Sequence, residues 1–189
     1  GLDNIKVVVL FPKDEVTDRQ RKQMTTLGKN IDIIALDGKF DDCQALVKIA
    51  FADKDLKHMS LSSANSINIG RLLPQSVYYT YSYLKLRNDE NDNVIFSVPS
   101  GNFGDLMGGL IAKFMGFPIK RFVVATNENK EFTDYYSSGE YNKIVPSINC
   151  ISSAMNVGHP SNLARLIELY DGNMDEQGNI KKQANLDKI

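Results

Sequence analysis

One loop in this sequence combines residue types and spacing that suit chemistry. Residues 94–98 form an apolar, β-branched run typical of a buried strand, and a glycine-containing loop leads from it into a predicted helix. Such a junction directs several backbone N–H groups to one point, where the helix dipole adds positive potential. Because glycine permits close approach, the loop predicts a phosphate cradle without any basic side chain. Its residues are Ser100, Gly101, Asn102, Phe103, Gly104 and Asp105.

The loop alone leaves two interpretations open. Two glycines three residues apart are common, so a tight turn with nothing bound fits the pattern as well as a phosphate site does. The loop lacks both the G-x-G-x-x-G pattern of dinucleotide-binding folds and the Gly-Lys-Ser/Thr of P-loops. A nucleotide is therefore not favoured as its ligand.

Two further segments contain polar residues that could bind a ligand. If residues 65–75 are helical, polar side chains fall along one strip that could hold an anionic or zwitterionic ligand. These side chains are Asn65, Asn68, Arg71 and Gln75. The alternative is a solvated helix whose N-cap is Asn65 or Ser66. Near Arg165, the favoured interpretation is a loop in which Ser161 or Asn162 caps the last helix.

Strands and helices that would position these segments alternate along the chain. The predicted strands cover residues 6–11, 31–36, 94–98 and 121–125, with a weaker pattern at 61–64. The predicted helices cover residues 17–27, 41–53, 66–86, 106–115 and 163–170. Pro74 predicts a kink or a new start within the third helix. Residues 130–146 show no clean period, and the tail from Gly172 is polar.

This alternation predicts an α/β fold with a mainly parallel sheet and helices on both faces, hence three layers. Polar residues cluster near 60–65, which predicts two parts, residues 1–62 and residues 63–189. A hydrophobic share of 42% and a charged share of 24% indicate a globular protein.

Charge and hydropathy narrow the classes of partner. A net charge of −1 gives no electrostatic footprint for nucleic acid or an anionic membrane. The apolar runs are too short to span a bilayer, and no basic-then-apolar leader opens the sequence, so a cytoplasmic location is expected. Neither His58 nor His159 has a partner at metal-ligand spacing, so no metal site is predicted.

Taken together, the segments resemble the long form of the threonine synthases. The order of the similar segments is the specific signal, because each one alone is weak. They are residues 11–14 (FPKD), 23–26 (QMTT), 38–44 (GKFDDCQ), 65–68 (NSIN) with Arg71 and Gln75, 99–105 (PSGNFGD), 125–129 (ATNEN), and 160–162 (PSN) with Arg165.

The resemblance implies a fold like that of the tryptophan synthase β subunit, which is fold type II of the pyridoxal-phosphate enzymes. It implies that residues 100–105 bind the phosphate of pyridoxal 5'-phosphate. It implies conversion of O-phospho-L-homoserine and water to L-threonine and phosphate. The residues implied to bind this small-molecule substrate are Asn65, Ser66, Asn68 and Arg71. The oligomeric state stays open.

Departures from the family pattern limit what this chain can do alone. The Schiff-base lysine of the family precedes all of the matched segments, and Lys13 is rejected because its own segment matches a strand end. The upstream Ser-Gly-Asp-Thr-Gly loop is also absent. Near the end, Met155-Asn156 replaces Met-Asp and Leu163-Ala164 replaces Phe-Glu, so the role of that segment is open. We therefore expect a central fragment with no catalytic residue of its own, inactive alone.

Two other classes of protein stay open at this point. Another fold type II lyase, or a threonine synthase-like protein with different chemistry, would use the same phosphate loop. A non-enzymatic phosphate-binding module would need only the loop. Residues 40–44 and 65–68 favour the first interpretation, because the loop alone would serve any of the three.

Overall fold

The computed structural model describes residues 3–89, 92–152, 155–175 and 177–188. These residues form two compact units. The first contains the described residues of 1–61 and 146–157, and the second contains those of 62–145 and 158–189. The assignment of residues 1–62 and 63–189 to two lobes of a larger enzyme stays a prediction. No helix in the described ranges is long and apolar enough to cross a membrane.

The first unit contains one parallel strand pair and two helices. Its elements are β1 (Val7–Pro12), α1 (Asp18–Thr25), β2 (Ile31–Leu36) and α2 (Phe40–Ala52), followed by a 3-10 turn at Lys57–Met59. Thr17 begins α1 through a capping box with Gln20, as its position in the sequence predicts. Strands β1 and β2 pair in register, with Val7 opposite Ile31.

The second unit contains the remaining elements. They are α3 (Ile69–Leu72), a 3-10 turn at Leu73–Gln75, α4 (Ser76–Leu86), β3 (Val94–Pro99), α5 (Gly104–Phe114), β4 (Ile119–Ala125), α6 (Glu131–Ser138), α7 (Leu163–Leu169), β5 (Asn173–Met174), β6 (Ile180–Lys182) and a 3-10 turn at Leu186–Lys188. Strands β3 and β4 are parallel, whereas β5 and β6 are antiparallel.

Helices α4 and α5 lie close together over the aromatic side of the β3–β4 pair. The Tyr79 ring on α4 meets the rings of Phe96 and Phe122 edge-on, with centroids 4.9 and 5.8 Å away. Gly109 on α5 allows this packing, because a Cβ there would lie 2.6 Å from Phe122 Cε1 and 2.9 Å from the Tyr79 ring. The core of the unit therefore positions the end of β3 and the start of α5.

The predicted α/β class with parallel strand pairing is confirmed. Each sheet has two strands in the described part of the chain, so the predicted sheet is incomplete. The third predicted helix is wrong at its start, because helical structure begins at Ile69 rather than residue 66. The Leu73–Gln75 turn interrupts it at Pro74, as that proline predicts.

Three other sequence predictions differ from the structure. Residues 61–64 form no strand, and there the Ser63 hydroxyl accepts the Asn65 N–H (3.2 Å), a local bond that competes with strand pairing. Helix α6 was missed because its serines and threonine are weak helix formers, although Phe132 and Tyr135 are buried. The β5–β6 hairpin was missed because its strands are too short for a periodic pattern.

Candidate functional site

The predicted cradle lies at the carboxyl end of β3, where β4 runs alongside. Pro99 pairs with Ala125 at the end of β4, and the next residue, Ser100, donates its backbone N–H to the Ala125 carbonyl oxygen (2.8 Å). The Ser100 hydroxyl donates to the Val98 carbonyl oxygen (3.0 Å). These bonds fix the start of the loop at the sheet edge where parallel strands bind ligands.

Phe103 gives the loop its shape. Its backbone lies in the left-handed region (φ 60°, ψ 15°) immediately before α5, which is unfavourable for a residue with a side chain. The ring is only 2% exposed and meets the Phe132 ring edge-on at 5.0 Å, so burial holds the residue in place. A left-handed residue next to a helix start turns successive N–H groups toward one side, forming a nest for anions.

Several N–H donors of this nest are available to a ligand. No acceptor within the described ranges takes the backbone N–H of Gly101, Phe103, Gly104 or Asp105. Three of these belong to the cap and first turn of α5, whose eleven residues add a positive end to the helix dipole. The loop therefore presents N–H donors and a positive helix end on one side, which are features that suit a phosphate group.

The Asp105 side chain has a different environment from its N–H group. The Tyr79 hydroxyl donates to this carboxylate, and burial together with Asp105 raises the pKa of Tyr79 far above its usual range. Tyr79 belongs to the aromatic core under β3 and β4. One carboxylate oxygen bonds to Tyr79, and the other, Oδ1, is buried with no partner among the described residues, so Asp105 would contact an anion through its backbone N–H group.

Gly104 brings the second predicted segment next to the cradle. A Cβ at this position would lie 2.9 Å from Ser66 Cβ and 3.4 Å from Leu72 Cδ2. Contacts this short leave no room for a side chain, so the start of α5 packs directly on the segment before and within α3. The structure thus brings together two segments that are more than thirty positions apart in the sequence.

The second segment is not the helical strip that its spacing suggested. Asn65 and Ser66 precede the helix, and Asn68 is the N-cap of α3, accepting the Gly70 N–H (2.9 Å) through its side-chain oxygen. The expectation that Asn65 or Ser66 caps the helix is therefore wrong. The Asn68 amide also donates to the Ser63 carbonyl oxygen (2.8 Å), while Arg71 is exposed.

The third segment contacts the cradle directly. Asn162 is fully buried, and its side-chain amide donates to the Asn102 carbonyl oxygen (2.8 Å). The Ser161 N–H donates to the Asn102 side-chain oxygen (2.9 Å). Asn162 occupies the N-cap position of α7, as expected, but its side chain makes no capping bond there. Its neighbour Arg165 donates to the carbonyl oxygens of Ser66 (3.3 Å) and Ile67 (2.9 Å).

Sequence reasoning assigned no site role to Asn162 and Arg165. A usable signal was present, since both are polar residues three positions apart at the start of a helix whose neighbouring positions are apolar. Within the described residues, no group of three or more His, Cys, Asp or Glu side chains could hold a metal ion.

These features define a class of protein: an α/β protein with parallel strand pairs and an N–H-lined loop at the end of one strand. No family model matches the chain. It is 48% identical over 174 residues to threonine synthase from Haemophilus influenzae and 46% identical over 171 residues to threonine synthase from Escherichia coli. These matches cover 92% and 90% of this chain but 41% and 40% of the relatives.

Solved structures agree with the sequence matches. The crystal structure of threonine synthase from Escherichia coli has a TM-score of 0.85 at 46% identity, covering 90% of this chain and 40% of that one. The PLP-bound threonine synthase from Brucella melitensis has a TM-score of 0.75 at 38% identity, covering 89% and 36%. The chain is thus a homologue of the threonine synthases that spans about two fifths of their length, which confirms the resemblance seen in its sequence.

Proposed function

We propose that this chain is part of a pyridoxal-phosphate-dependent threonine synthase, a lyase that converts O-phospho-L-homoserine and water to L-threonine and phosphate. The N–H-lined nest at residues 100–105 is the observation that carries the proposal, because it suits a phosphate group without a basic side chain. The homology to threonine synthases supports the choice of reaction. The PLP-bound relative supports the choice of cofactor.

The residues present fit the phosphate of the cofactor. The loop offers N–H donors from Gly101, Phe103, Gly104 and Asp105, and Gly104 is a position where a Cβ would collide with Ser66. When bound, pyridoxal phosphate supplies an electron sink for a negative charge that develops on the substrate. Ser100, Asn102 and the Asn102 contacts to residues 161–162 would hold the loop in the shape that orients the cofactor.

The substrate would contact the segment that packs beside the cradle. Arg71 is exposed, and no acceptor in the described ranges takes its guanidinium hydrogens, so it suits a carboxylate or phosphate group. Asn68 bonds to Gly70 and Ser63, yet its amide keeps one further hydrogen and one further lone pair. Asn65 and Ser66 complete this proposed substrate segment.

The remaining parts of the proposal concern the whole protein. Residues 1–62 would belong to a small lobe and residues 63–189 to a larger, cofactor-binding lobe of a cytoplasmic enzyme. This chain has no lysine at the family's Schiff-base position, so it would bind the cofactor phosphate without catalysing the reaction. Release of threonine from O-phospho-L-homoserine by the purified chain would contradict this statement.

Phosphorus NMR tests the cradle directly. The chain is titrated with pyridoxal phosphate and, in parallel, with pyridoxine 5'-phosphate, which lacks the aldehyde that reacts with surface lysines. We expect saturable binding of both compounds and its loss in Gly104→Asp, whose side chain would collide with Ser66 and add a negative charge. Gly28→Asp is the control for the added charge, because a Cβ at Gly28 meets no atom within 4 Å; its left-handed φ of 60° strains any side chain, so the unfolding midpoint of this variant is measured beside the titration.

The outcomes separate the candidate functions. Binding of both compounds that Gly104→Asp abolishes and Gly28→Asp retains would support the proposed cofactor site. Binding that Gly104→Asp leaves intact would place the phosphate elsewhere, and the proposal would fail. Binding of pyridoxal phosphate without pyridoxine 5'-phosphate would indicate reaction with lysines only, which also contradicts a preformed cradle.

A further inference from the structure

A buried polar network joins three segments that are far apart in the sequence. At its centre, the Asn162 side chain uses both of its polar ends: the amide donates to the Asn102 carbonyl oxygen, and the side-chain oxygen accepts from Arg165. The chain separation across the first bond is 60 residues. Because a buried amide is costly unless both ends are bonded, this residue fixes the distance between the cradle and Arg165.

Arg165 extends the network to the segment beside the cradle. Its guanidinium donates to the carbonyl oxygens of Ser66 (3.3 Å) and Ile67 (2.9 Å) in addition to Asn162. The described residues give it no carboxylate partner, so its acceptors are two backbone carbonyls and one amide oxygen. The planar guanidinium group of Arg165 uses three donors at once and therefore fixes the orientation of its acceptors. A flexible ammonium group would not do this.

The segment before α3 is a short turn that Arg165 contacts from outside. The turn is closed by the Asn68 N–H, which donates to the Asn65 carbonyl oxygen (3.1 Å), and the carbonyl groups of Ser66 and Ile67 are left for the guanidinium. The opposite side of the segment packs on Gly104 at the start of α5. The Ser66 and Ile67 carbonyl groups are therefore fixed between the first turn of α5 and the guanidinium of Arg165.

We propose that Asn162 and Arg165 are positioning residues that clamp the Asn65–Asn68 segment against the phosphate cradle. Asn162 holds the cradle side through Asn102, and Arg165 holds the other side through Ser66 and Ile67. The clamp would keep the proposed substrate segment at a fixed distance from the proposed cofactor phosphate. Only this last statement rests on the proposed function, since the clamp itself concerns residues of this chain in the absence of any ligand.

Amide hydrogen exchange of the chain without ligand tests the clamp. In Arg165→Gln, we expect the Asn68 and Gly70 amides to exchange about tenfold faster, because charge-assisted bonds to the segment are lost. Arg165→Lys should restore less than half of the protection, since an ammonium group lacks the fork. Arg121→Gln is the matched control: it removes the same charge from an exposed arginine of β4 in the same unit.

Phosphate titration of the same variants separates the two sides of the clamp. In Asn162→Asp the side-chain oxygen that accepts from Arg165 is kept, and this bond becomes an ion pair, but the donor to Asn102 is lost, so inorganic phosphate should bind about tenfold more weakly. Arg165→Gln should change phosphate affinity by less than about threefold, because two of its three lost bonds, those to Ser66 and Ile67, lie on the substrate side. If the two residues had only a structural role, both substitutions would lower the unfolding midpoint. Amide exchange and phosphate affinity would then change together in each variant.

The outcomes distinguish failure of the clamp from failure of the proposed function. Unchanged exchange of Asn68 and Gly70 in Arg165→Gln would overturn the clamp, whatever phosphate does. Faster exchange throughout the second unit, with the unfolding midpoint lowered in proportion, would also overturn it and leave a structural residue. If the parent chain binds neither inorganic phosphate nor pyridoxine 5'-phosphate, the proposed function fails, while the exchange of residues 68–70 still decides whether the clamp exists.

Discussion

The carboxyl ends of the two parallel strand pairs contain opposite chemistry, although the strand pairs themselves are alike. In the first unit, the loops after β1 and β2 are rich in charged residues, including Glu15, Asp37 and Lys39. In the second unit, the loop after β3 is neutral before Asp105 and contains the left-handed Phe103. Similar topology therefore does not by itself make a strand end a binding site.

The helix starts explain the difference. At α2, the chain supplies its own anions: Glu15 accepts the Phe40 N–H (3.1 Å), and Asp42 accepts the Lys39 N–H (2.7 Å). The Glu15 side chain is only 5% exposed and pairs with the Lys39 ammonium at 2.7 Å. At α5, no carboxylate of the described residues accepts the N–H groups. A helix start already filled by a carboxylate is closed to an external anion, and one without it is open.

The largest expected effect on the difference between the starts of α2 and α5 comes from removing the Phe103 ring. Phe103→Ala removes a buried aromatic side chain that holds a left-handed backbone in place, so we expect a loss of about 3–5 kcal/mol in the free energy of unfolding. Phosphate binding should disappear because the nest relaxes. Urea unfolding and phosphorus NMR measure both effects. Phe51→Ala, at an exposed position of α2, is the control and should change neither. Retained phosphate affinity in Phe103→Ala would contradict the role of the left-handed residue.

How far the sequence predicts these features depends on how local they are. The parallel strands and the cradle follow from apolar runs, from Gly101 and Gly104 and from the helix that follows. The first turn of α2 follows from Asp41 and Asp42, since acidic residues suit a helix start. The left-handed angle of Phe103 was not predicted, because glycine usually occupies that region and packing on Phe132 overrides the preference.

The clamp formed by Asn162 and Arg165 could not be predicted from the sequence, for another reason. The bonds from Arg165 to Ser66 and Ile67 span 99 and 98 residues, and no periodicity relates such distant positions. Capping statistics favoured a local role for Asn162, but burial of the residue gave its side chain non-local partners. The 3-10 turn at Pro74 shows the opposite case, in which a backbone constraint on one residue was enough.

The next largest effect is expected when the carboxylate of Glu15 is removed from the start of α2. Glu15→Gln removes the buried negative charge that accepts from Lys39 and from the Phe40 N–H, so we expect a loss of about 1.5–3 kcal/mol in unfolding free energy. Inorganic phosphate should restore part of this loss, because an external anion can then reach the start of α2. Thermal unfolding with and without phosphate measures the restoration. Asp18→Asn, at an exposed site on α1, is the control. If phosphate stabilises Glu15→Gln no more than the parent chain, the helix start was not closed by Glu15.

Adding a carboxylate beside the start of α5 gives the converse test. Asn102→Asp keeps a side-chain oxygen for the Ser161 N–H but adds a negative charge beside the cradle. We expect phosphate to bind at least about tenfold more weakly at neutral pH, or about 1.4 kcal/mol, because like charges repel at short distance. Affinity should recover as the pH falls through the pKa of the new carboxyl group. Asn127→Asp, in the loop after β4, tests whether charge anywhere near the sheet edge has the same effect. Equal losses in the two variants would argue against a localised site.

The smallest expected effect is a difference in the acid titration of the two units. Burial, and after it the carboxylates of Asp42 and Glu15, raise the pKa of Asp41 above its ordinary value of 3.8. In the second unit, hydrogen bonds from Asn179 and the Lys181 ammonium lower the pKa of Asp175 below that value. Asp41 therefore stabilises the folded state in acid, and this contribution is lost as the pH rises through its raised pKa. Asp175 stabilises the folded state above its ordinary pKa, and this contribution is lost as the pH falls through its lowered pKa.

Carbon-detected NMR titration of both carboxyl groups measures this difference, and Glu15→Gln sharpens it. Removing the Glu15 charge should move the pKa of Asp41 toward its ordinary value, because one of the repelling carboxylates is gone, while the pKa of Asp175 should not change. Burial would keep the Asp41 value raised even in the variant, since desolvation is its largest cause. An unchanged Asp41 pKa in Glu15→Gln would mean that the two carboxylates do not share the start of α2. The first unit would then not differ from the second in the way the hydrogen bonds indicate.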